Sequence, residues 1–353
     1  MHAHDPQQSC HTPPSAGPVK CLVLYSGGLD SVLAVRLLQA QGLEVEGVFF
    51  INPFGTQRME AVRASARELG LPLHVSRMDR AYLRLVADPP HGYGKNMNPC
   101  VDCRIYTFRC AWRLAIQIGA RFLATGEVPG QRPFSQTMHR LMQIEGKADL
   151  AGWIVRPLSA RLLAHSKPER AGWVHREGLL DIRGRSRKRQ LALAERLGIE
   201  GYSMPAGGCL LTERHFSRKL EVLLERRGRI DFGDVELLRL GRHYRYGCGW
   251  IITGRNEAEN QRLFEIAQGR NCVCLEARTV PGAITLVDGD HDPDVIEQAA
   301  RITARHSKNR GHRPLPINCR RKGQTWTLWA DPLDKAQLES LHLTGRLARV
   351  RDG

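Results

Sequence analysis

A chain of 353 residues, 42% hydrophobic and 25% charged, has the length of about two domains and enough apolar content to bury a core in each. No stretch approaches the ~20 consecutive apolar residues of a membrane-spanning helix, so the sequence excludes that class. Lys and Arg total 52 against 36 Asp and Glu, and the resulting net charge of +16 favours a polyanionic partner, nucleic acid first among them.

In chain order, residues 1–19 are polar and rich in His and Pro (His2, His4, Pro6, His11, Pro13, Pro14, Pro18). They are expected to form a disordered tail, and the lack of an apolar signal core predicts a cytoplasmic protein. The apolar run Cys21–Tyr25 then predicts a buried strand, followed by Ser26-Gly27-Gly28-Leu29-Asp30-Ser31 and a helix over Ser31–Gln41. Further strands are expected at Val45–Phe50, Leu73–Met78, Phe122–Thr125 and Ile154–Leu158. Helices are expected at Gln57–Leu69, Arg104–Ile118 and Arg187–Leu197, the last two stopped by Gly119 and Gly198. Short apolar strands alternating with helices predict an α/β fold with a doubly wound parallel sheet, which binds ligands at the carboxyl ends of its strands. A charged helix from Glu213 to Arg227 leads to Gly228, and a smaller α+β unit begins near Ile230. That unit carries strand-like runs at Trp250–Thr253, Val273–Ala277 and Ile284–Val287 and a helix over Val295–His306. The expected domains are therefore 20–212 as the catalytic unit, 213–229 as a linker helix and 230–353 as the second domain.

The glycine turn between strand and helix is the first chemical signal. Gly27 and Gly28 let backbone N–H groups converge on one point, and a helix N-terminus adds positive potential there, which makes a phosphate cradle. The Gly-Lys-Ser/Thr ending of a Walker A loop is missing, so no lysine reaches the β- and γ-phosphates from this turn. The second signal is Cys100-Val101-Asp102-Cys103 at a helix start, where the helix dipole favours thiolate and two sulfurs share a metal or a disulfide. The third is Cys209, presented by Gly207 and Gly208. Ten cysteines in a chain read as intracellular point to metal or redox chemistry rather than a disulfide scaffold. Zinc would want a second Cys-x-x-Cys, which the sequence lacks, whereas three thiolates suit an iron–sulfur cluster with one open iron. Cys10 sits in the tail, Cys21 opens the buried strand, Cys110 lies two turns along the helix, and Cys272 and Cys274 read as core.

The hexapeptide Ser26–Ser31 resembles the PP-loop of ATP pyrophosphatases, which cleave ATP between its α- and β-phosphates and leave AMP on the substrate. Gly92-Tyr93-Gly94-Lys95-Asn96-Met97-Asn98-Pro99-Cys100 with Asp102-Cys103-Arg104 is similar to PP-loop tRNA thiolation enzymes. Ala124-Thr125-Gly126-Glu127, Gly130-Gln131, Ser135-Gln136-Thr137, Arg156-Pro157-Leu158 and Gly184-Arg185-Ser186-Arg187-Lys188 extend the likeness toward the tRNA 4-thiouridine synthetases, over about residues 20–215. Gly254-Arg255-Asn256 with Asn260, then Val280-Pro281-Gly282 and His306-Ser307-Lys308-Asn309-Arg310, resembles the NFACT-type RNA-binding domain. The chain departs from those synthetases in showing neither an RNA-binding domain ahead of the PP-loop nor a rhodanese-like segment.

The resemblance implies an adenine nucleotide α-hydrolase-like fold and an ATP-dependent tRNA sulfurtransferase. Ser26, Gly27, Gly28, Asp30, Ser31, Gly126 and Glu127 would bind ATP, with Asp30 near Mg2+. Cys100, Cys103 and Cys209 would ligate a 4Fe–4S cluster, and Asp30, Cys100 and Cys209 would be catalytic. Arg185, Arg187, Lys188, Arg255, Lys308 and Arg310 would meet RNA. Formation of 4-thiouridine is the leading expectation, with sulfur from hydrosulfide or from the persulfide of a cysteine desulfurase. The alternatives are 2-thiouridine synthesis, persulfide transfer without a cluster, an ammonia-using synthetase, and an RNA-binding factor with a vestigial PP-loop.

Overall fold

The structure is a computed structural model and describes residues 18–56, 59–132, 135–200, 202, 208–289, 291–308 and 314–344. Its chain contacts define two units. The first comprises 1–51, 57–77 and 103–207, and the second 52–56, 78–102 and 208–353. The division therefore does not follow the chain linearly: two segments from the first half, one of them carrying a helix, group with the C-terminal half, and the boundary near residue 102 falls within one helix.

The first unit is built on five parallel strands, β1 (Lys20–Leu24), β2 (Glu44–Ile51), β3 (Leu73–Arg77), β4 (Phe122–Thr125) and β5 (Ile154–Val155), in the order β3-β2-β1-β4-β5. Strand order reverses beside β1, which places the crevice of a doubly wound sheet at the turn that follows it. Helices α1 (Leu29–Gln39) and α2 (Met59–Glu68) follow β1 and β2. Helix α3 (Arg80–Ala87), N-capped by Asp79, follows β3 within the second unit. Helix α4 (Cys100–Gln117) precedes β4, and α5 (Met138–Lys147), α6 (Lys167–Arg170) and α7 (Lys188–Arg196) complete this half of the chain. Val23, Val35, Leu38, Phe122 and Ala124, all fully buried, form the core under β1 and α1. The fifth strand is shorter than its apolar run, because Pro157 has no N–H for a ladder and Arg156 turns into a buried ion-pair network.

The second unit carries α8 (Arg214–Arg227), α9 (Phe232–Arg239), α10 (Glu257–Gly269), α11 (Pro293–Arg305) and α12 (Lys335–Leu341). Its six strands are β6 (Arg242–Tyr246), β7 (Gly249–Thr253), β8 (Cys272–Ala277), β9 (Thr285–Gly289), β10 (Leu315–Arg321) and β11 (Gln324–Ala330). They pair antiparallel in the order β11-β10-β8-β9-β7-β6. Val273, Leu275, Val287 and Ile317 on one face meet Val295, Ala299 and Ile302 of α11 in the core. Helix α8, expected as a linker, buries Phe216, Leu220, Val222 and Leu223, and ends on Gly228 in the left-handed region.

Candidate active site

The turn after β1 has the geometry of an anion cradle. Gly27 adopts φ +70°, and a Cβ there would lie 3.2 Å from Val62 Cα, so this position requires glycine twice over. Gly28 is the N-cap of α1 and supplies no side-chain cap, which leaves the N–H groups of Leu29 and Asp30 to an incoming ligand, while Ser31 N–H bonds Gly28 O (3.0 Å). Ser31 Oγ donates to Gly28 O (2.8 Å) and receives the Ser26 N–H (3.3 Å), fixing the loop from inside. Gly126 passes directly over this turn. A Cβ on it would come within 2.4 Å of the Asp30 carbonyl and 2.7 Å of Ser31 N.

Asp30 is the charged group of the cradle. Its Oδ2 receives Gln131 Nε2 (3.0 Å) and Arg187 Nη2 (3.1 Å). Its Oδ1 is buried and has no hydrogen-bond partner. A buried carboxylate oxygen left unmatched is costly unless a cation completes it, so the residues present fit Mg2+ beside the triphosphate of ATP. Arg187, expected on an RNA face, instead stands on the PP-loop carboxylate. Arg185 and Lys188 remain exposed beside it, and Arg189 pairs with Asp181 (2.5 Å). The loops that supply Gln131 and Arg187 are stitched by Gly184 N–H to Pro129 O (2.8 Å) and Gly130 N–H to Gln136 O (2.6 Å).

Glu127, grouped with the ATP ligands from sequence, is 4% exposed and turned into the core. Arg156 donates to it through Nε (3.2 Å) and also pairs with Glu145, while Arg104 Nε lies 2.9 Å from its other oxygen. Burial pushes the Glu127 carboxyl up, but Arg104 and Arg156 outweigh it and hold it below the usual carboxylate value. Its position explains the motif differently: Glu127 anchors the loop, and Gly126 gives that loop its close approach.

The cysteines sort by environment. Burial pushes the thiol of Cys272 up to about 11 and those of Cys274 and Cys319 up to about 12, and raises Cys21 further, so all four behave as core. Cys100, Cys103 and Cys209 are half-buried. Cys100 and Cys103 occupy the first turn of α4, and Cys100 Sγ donates to Asn98 Oδ1 (2.9 Å). Asn96, at φ +55°, donates from Nδ2 to Thr212 O (2.8 Å), joining the segment of Cys100 to that of Cys209. Cys209 bridges Gly55, and Leu210 N–H bonds Phe54 O (2.9 Å). Arg239 clamps the same loop by donating to Pro53 O and Gly55 O, with Cys209 within electrostatic reach of its guanidinium. Sequence reasoning did not single out Arg239 or the pair His91–Asp102 (2.6 Å), which braces the approach to Cys100. The Asp in Cys-Val-Asp-Cys was the signal for the latter. Among the described residues no three His, Cys, Asp or Glu side chains gather into a metal-binding group.

In the second unit Arg255 is tied to Glu259 (2.5 Å), Asn256 caps α10, and Asn260 bonds Gly282 O (3.3 Å) and Ile284 N–H (3.0 Å). Gly282 approaches Ser307 so closely that a Cβ would fall 2.2 Å from its Oγ. These motif residues are internal stitches. Lys308 is exposed, and Arg310 lies outside the described residues.

With this geometry in place, residues 16–167 match the family described as thiamine biosynthesis protein (ThiI), and residues 241–341 match the NFACT protein RNA binding domain. A tRNA-specific 2-thiouridylase MnmA from Syntrophotalea carbinolica is 40% identical over 117 residues, 30% of this chain and 33% of that protein. The MnmA of Listeria monocytogenes serovar 1/2a is 23% identical over 344 residues, 89% of this chain and 88% of that protein. This chain thus spans about a third of the first relative and most of the second. Among solved structures, the U34-tRNA thiolase NcsA from Methanococcus maripaludis with its 4Fe-4S cluster is 19% identical over 63% of this chain and 71% of that one, at a TM-score of 0.32. No described helix is long and apolar enough to cross a membrane.

Proposed function

We propose that this chain, which joins a ThiI-type domain to an NFACT-type RNA-binding domain, is an ATP-dependent tRNA uridine thiolase. The observation that carries the reading is Asp30, held at the uncapped N-terminus of α1 with one buried oxygen unmatched. Asp30 would hold Mg2+, whose charge offsets that of the triphosphate. Gly27, Gly28 and the first N–H groups of α1 receive the phosphates, and Ser26 and Ser31 keep the loop open. Arg187 and Gln131 hold the Asp30 carboxylate through Oδ2. The Arg187 guanidinium, held at the mouth of the cradle, would be placed to meet the pyrophosphate that leaves.

The uracil carbonyl oxygen attacks the α-phosphorus, the bond to the β-phosphate oxygen breaks, and pyrophosphate leaves. AMP on that oxygen makes a good leaving group of a poor one. A sulfur nucleophile then adds to the ring carbon and AMP departs with the oxygen. Cys100, Cys103 and Cys209 are the sulfur-handling set. Their donor chemistry fits a 4Fe–4S cluster, because all three escape the burial that silences the core thiols and two open a helix. Among the described residues three such donors do not gather into one group, and the same cysteines would serve equally as persulfide carrier and resolving thiol.

The likeness of Thr125-Gly126-Glu127 to the tRNA 4-thiouridine synthetases favours 4-thiouridine. The second reading, 2-thiouridine, is favoured by the similarity to tRNA-specific 2-thiouridylases. Anaerobically purified protein incubated with ATP, sulfide and unmodified tRNA should release pyrophosphate only when tRNA is present. Nucleoside analysis should then show 4-thiouridine, with iron and acid-labile sulfide in the protein. Pyrophosphate release without thiolated nucleoside would leave the thiolase reading untenable. Thiolation by iron-free protein would select the persulfide route.

A further inference from the structure

Trp329 is 68% exposed, more than any other large hydrophobic side chain described. It stands near the end of β11, an edge strand of the six-stranded sheet. Register fixes its face. Leu328, Trp326 and Ala330 pack with Ile317, Cys319 and Leu315 in the core, so Trp329, Thr327 and Thr325 point the other way, alongside Pro316, Asn318 and Arg320. Thr327 Oγ1 bonds Asn318 Oδ1 (3.2 Å) across this outer face. Strand β8 adds Glu276 beside Asn318, and exposed Arg278 follows it, its N–H on Pro316 O (2.9 Å), across β10 from Trp329. The face runs on to a cavity of about 360 Å3 lined by Phe264, Glu276, Val280, Pro281 and Arg320, with the Arg320 guanidinium 5.6 Å over the Phe264 ring.

An indole left in water on a sheet face, flanked by hydroxyl and amide groups and an exposed guanidinium, has the chemistry of a base-stacking platform. Every nucleobase presents a π-face, while Arg278 meets a phosphate. A chain of net charge +16 supplies the long-range attraction. The motif residues of this domain, by contrast, are occupied holding it together. We infer that Trp329 is the seat of an unpaired base of the bound RNA, with Arg278 on the adjoining phosphate. The inference rests on the tRNA reading above and places RNA on the outer face of β10 and β11.

The test is fluorescence anisotropy of full-length protein with unmodified tRNA, which has a single-stranded 3′ end, and with a blunt RNA duplex of similar length. Trp329→Ala should weaken tRNA binding roughly tenfold, at an unchanged melting temperature and an unchanged salt slope. Trp329→Phe should recover part of the loss, and the duplex should bind both variants alike. Arg278→Gln should lower the log–log salt slope by about 0.7 to 0.9. Equal tRNA binding by wild type and Trp329→Ala overturns the seat, as does an equal loss on the duplex. A change in sedimentation of the RNA-free Trp329→Ala protein would mark a protein contact and overturns it too. A wild-type protein with no affinity for tRNA would instead remove the tRNA reading on which the seat depends.

Discussion

The parallel sheet gathers its chemistry at strand ends, whereas the antiparallel sheet spreads its chemistry over a face. In the first unit, the turn after β1, the loop after β4 and the start of α7 converge, and Gln131 and Arg187, distant in sequence, each reach Asp30 within 3.1 Å. In the second, the residues that define the motif are bonded to one another, and the exposed aromatic lies on a strand that no motif marks. A crevice is preorganised: its residues hold charge ready for a small ligand, and losing one should cost a great deal. A face is additive: several modest contacts share the affinity for a large polyanion.

The sharpest break in this comparison is Asp30→Ala. Removing the carboxylate that would hold Mg2+ should lower tRNA-dependent pyrophosphate release by at least about a hundredfold, while tRNA affinity stays within about twofold of wild type. A variant that retains full pyrophosphate release would show that the crevice does not carry the reaction. A parallel loss of tRNA binding would show that crevice and face are not separable.

A smaller effect is expected one residue further out. Arg187 restrains Asp30 and is proposed to meet pyrophosphate, so Arg187→Gln should raise the KM for ATP about tenfold, the scale of one charged hydrogen bond, with little change in tRNA affinity. If Arg187 were an RNA contact, as its basic neighbours imply in sequence, the variant would instead weaken tRNA binding and flatten its salt dependence.

What the sequence shows of each region follows the same division. Phe122–Thr125 is a strand with the bounds its apolar run predicts, and β1 differs from its prediction by one residue at each end, because fully buried parallel strands are continuous apolar runs. The PP-loop is legible because its six residues are consecutive. Arg187 on Asp30 is not legible, since 157 positions separate them; only the run of cations at the start of α7 signals that some anion must lie there. Helices α3 and α5 are short, and the caps Asp79 and Thr137 that start them are weak cues. The β10–β11 hairpin turns on Lys322 and Gly323, both at positive φ. Lysine in a place usually held by Asn or Asp hides the turn, and with it the face that carries Trp329. Glu127 illustrates a limit of motifs: pattern marks it as important, and only burial shows that it supports the loop.

The smallest expected effect separates the two units by pH. His306 Nε2 and the Tyr244 hydroxyl share a hydrogen bond (2.8 Å). Burial, with Arg242, Arg305 and His342 nearby, depresses its pKa to about 4. His243, fully buried, accepts Trp250 Nε1–H at Nδ1 (2.9 Å) and donates from Nε2 to Leu240 O (2.8 Å), and burial likewise lowers its pKa well below the ordinary value. An unfolded histidine binds its proton near pH 6.5, whereas these two resist it in the fold. The unfolded state therefore takes up more protons as pH falls, and the stability these groups contribute is full above about 6.5 and drains away as pH drops toward 4. Glu127 in the first unit works in a lower window. Its depressed pKa contributes stability that is present above the ordinary carboxylate value and lost only as pH falls below it. Hydrogen exchange read by mass spectrometry at pH 7 and pH 5, corrected for intrinsic rates, should show β6 and β7 peptides losing protection while β1 and β4 keep theirs. His306→Gln, which keeps an acceptor for Tyr244 and cannot titrate, should shrink that loss. Equal softening of both sheets, or a pH 5 loss unchanged by the substitution, would mean that the acid response does not arise from this histidine pair, and the two units would then share one acid transition.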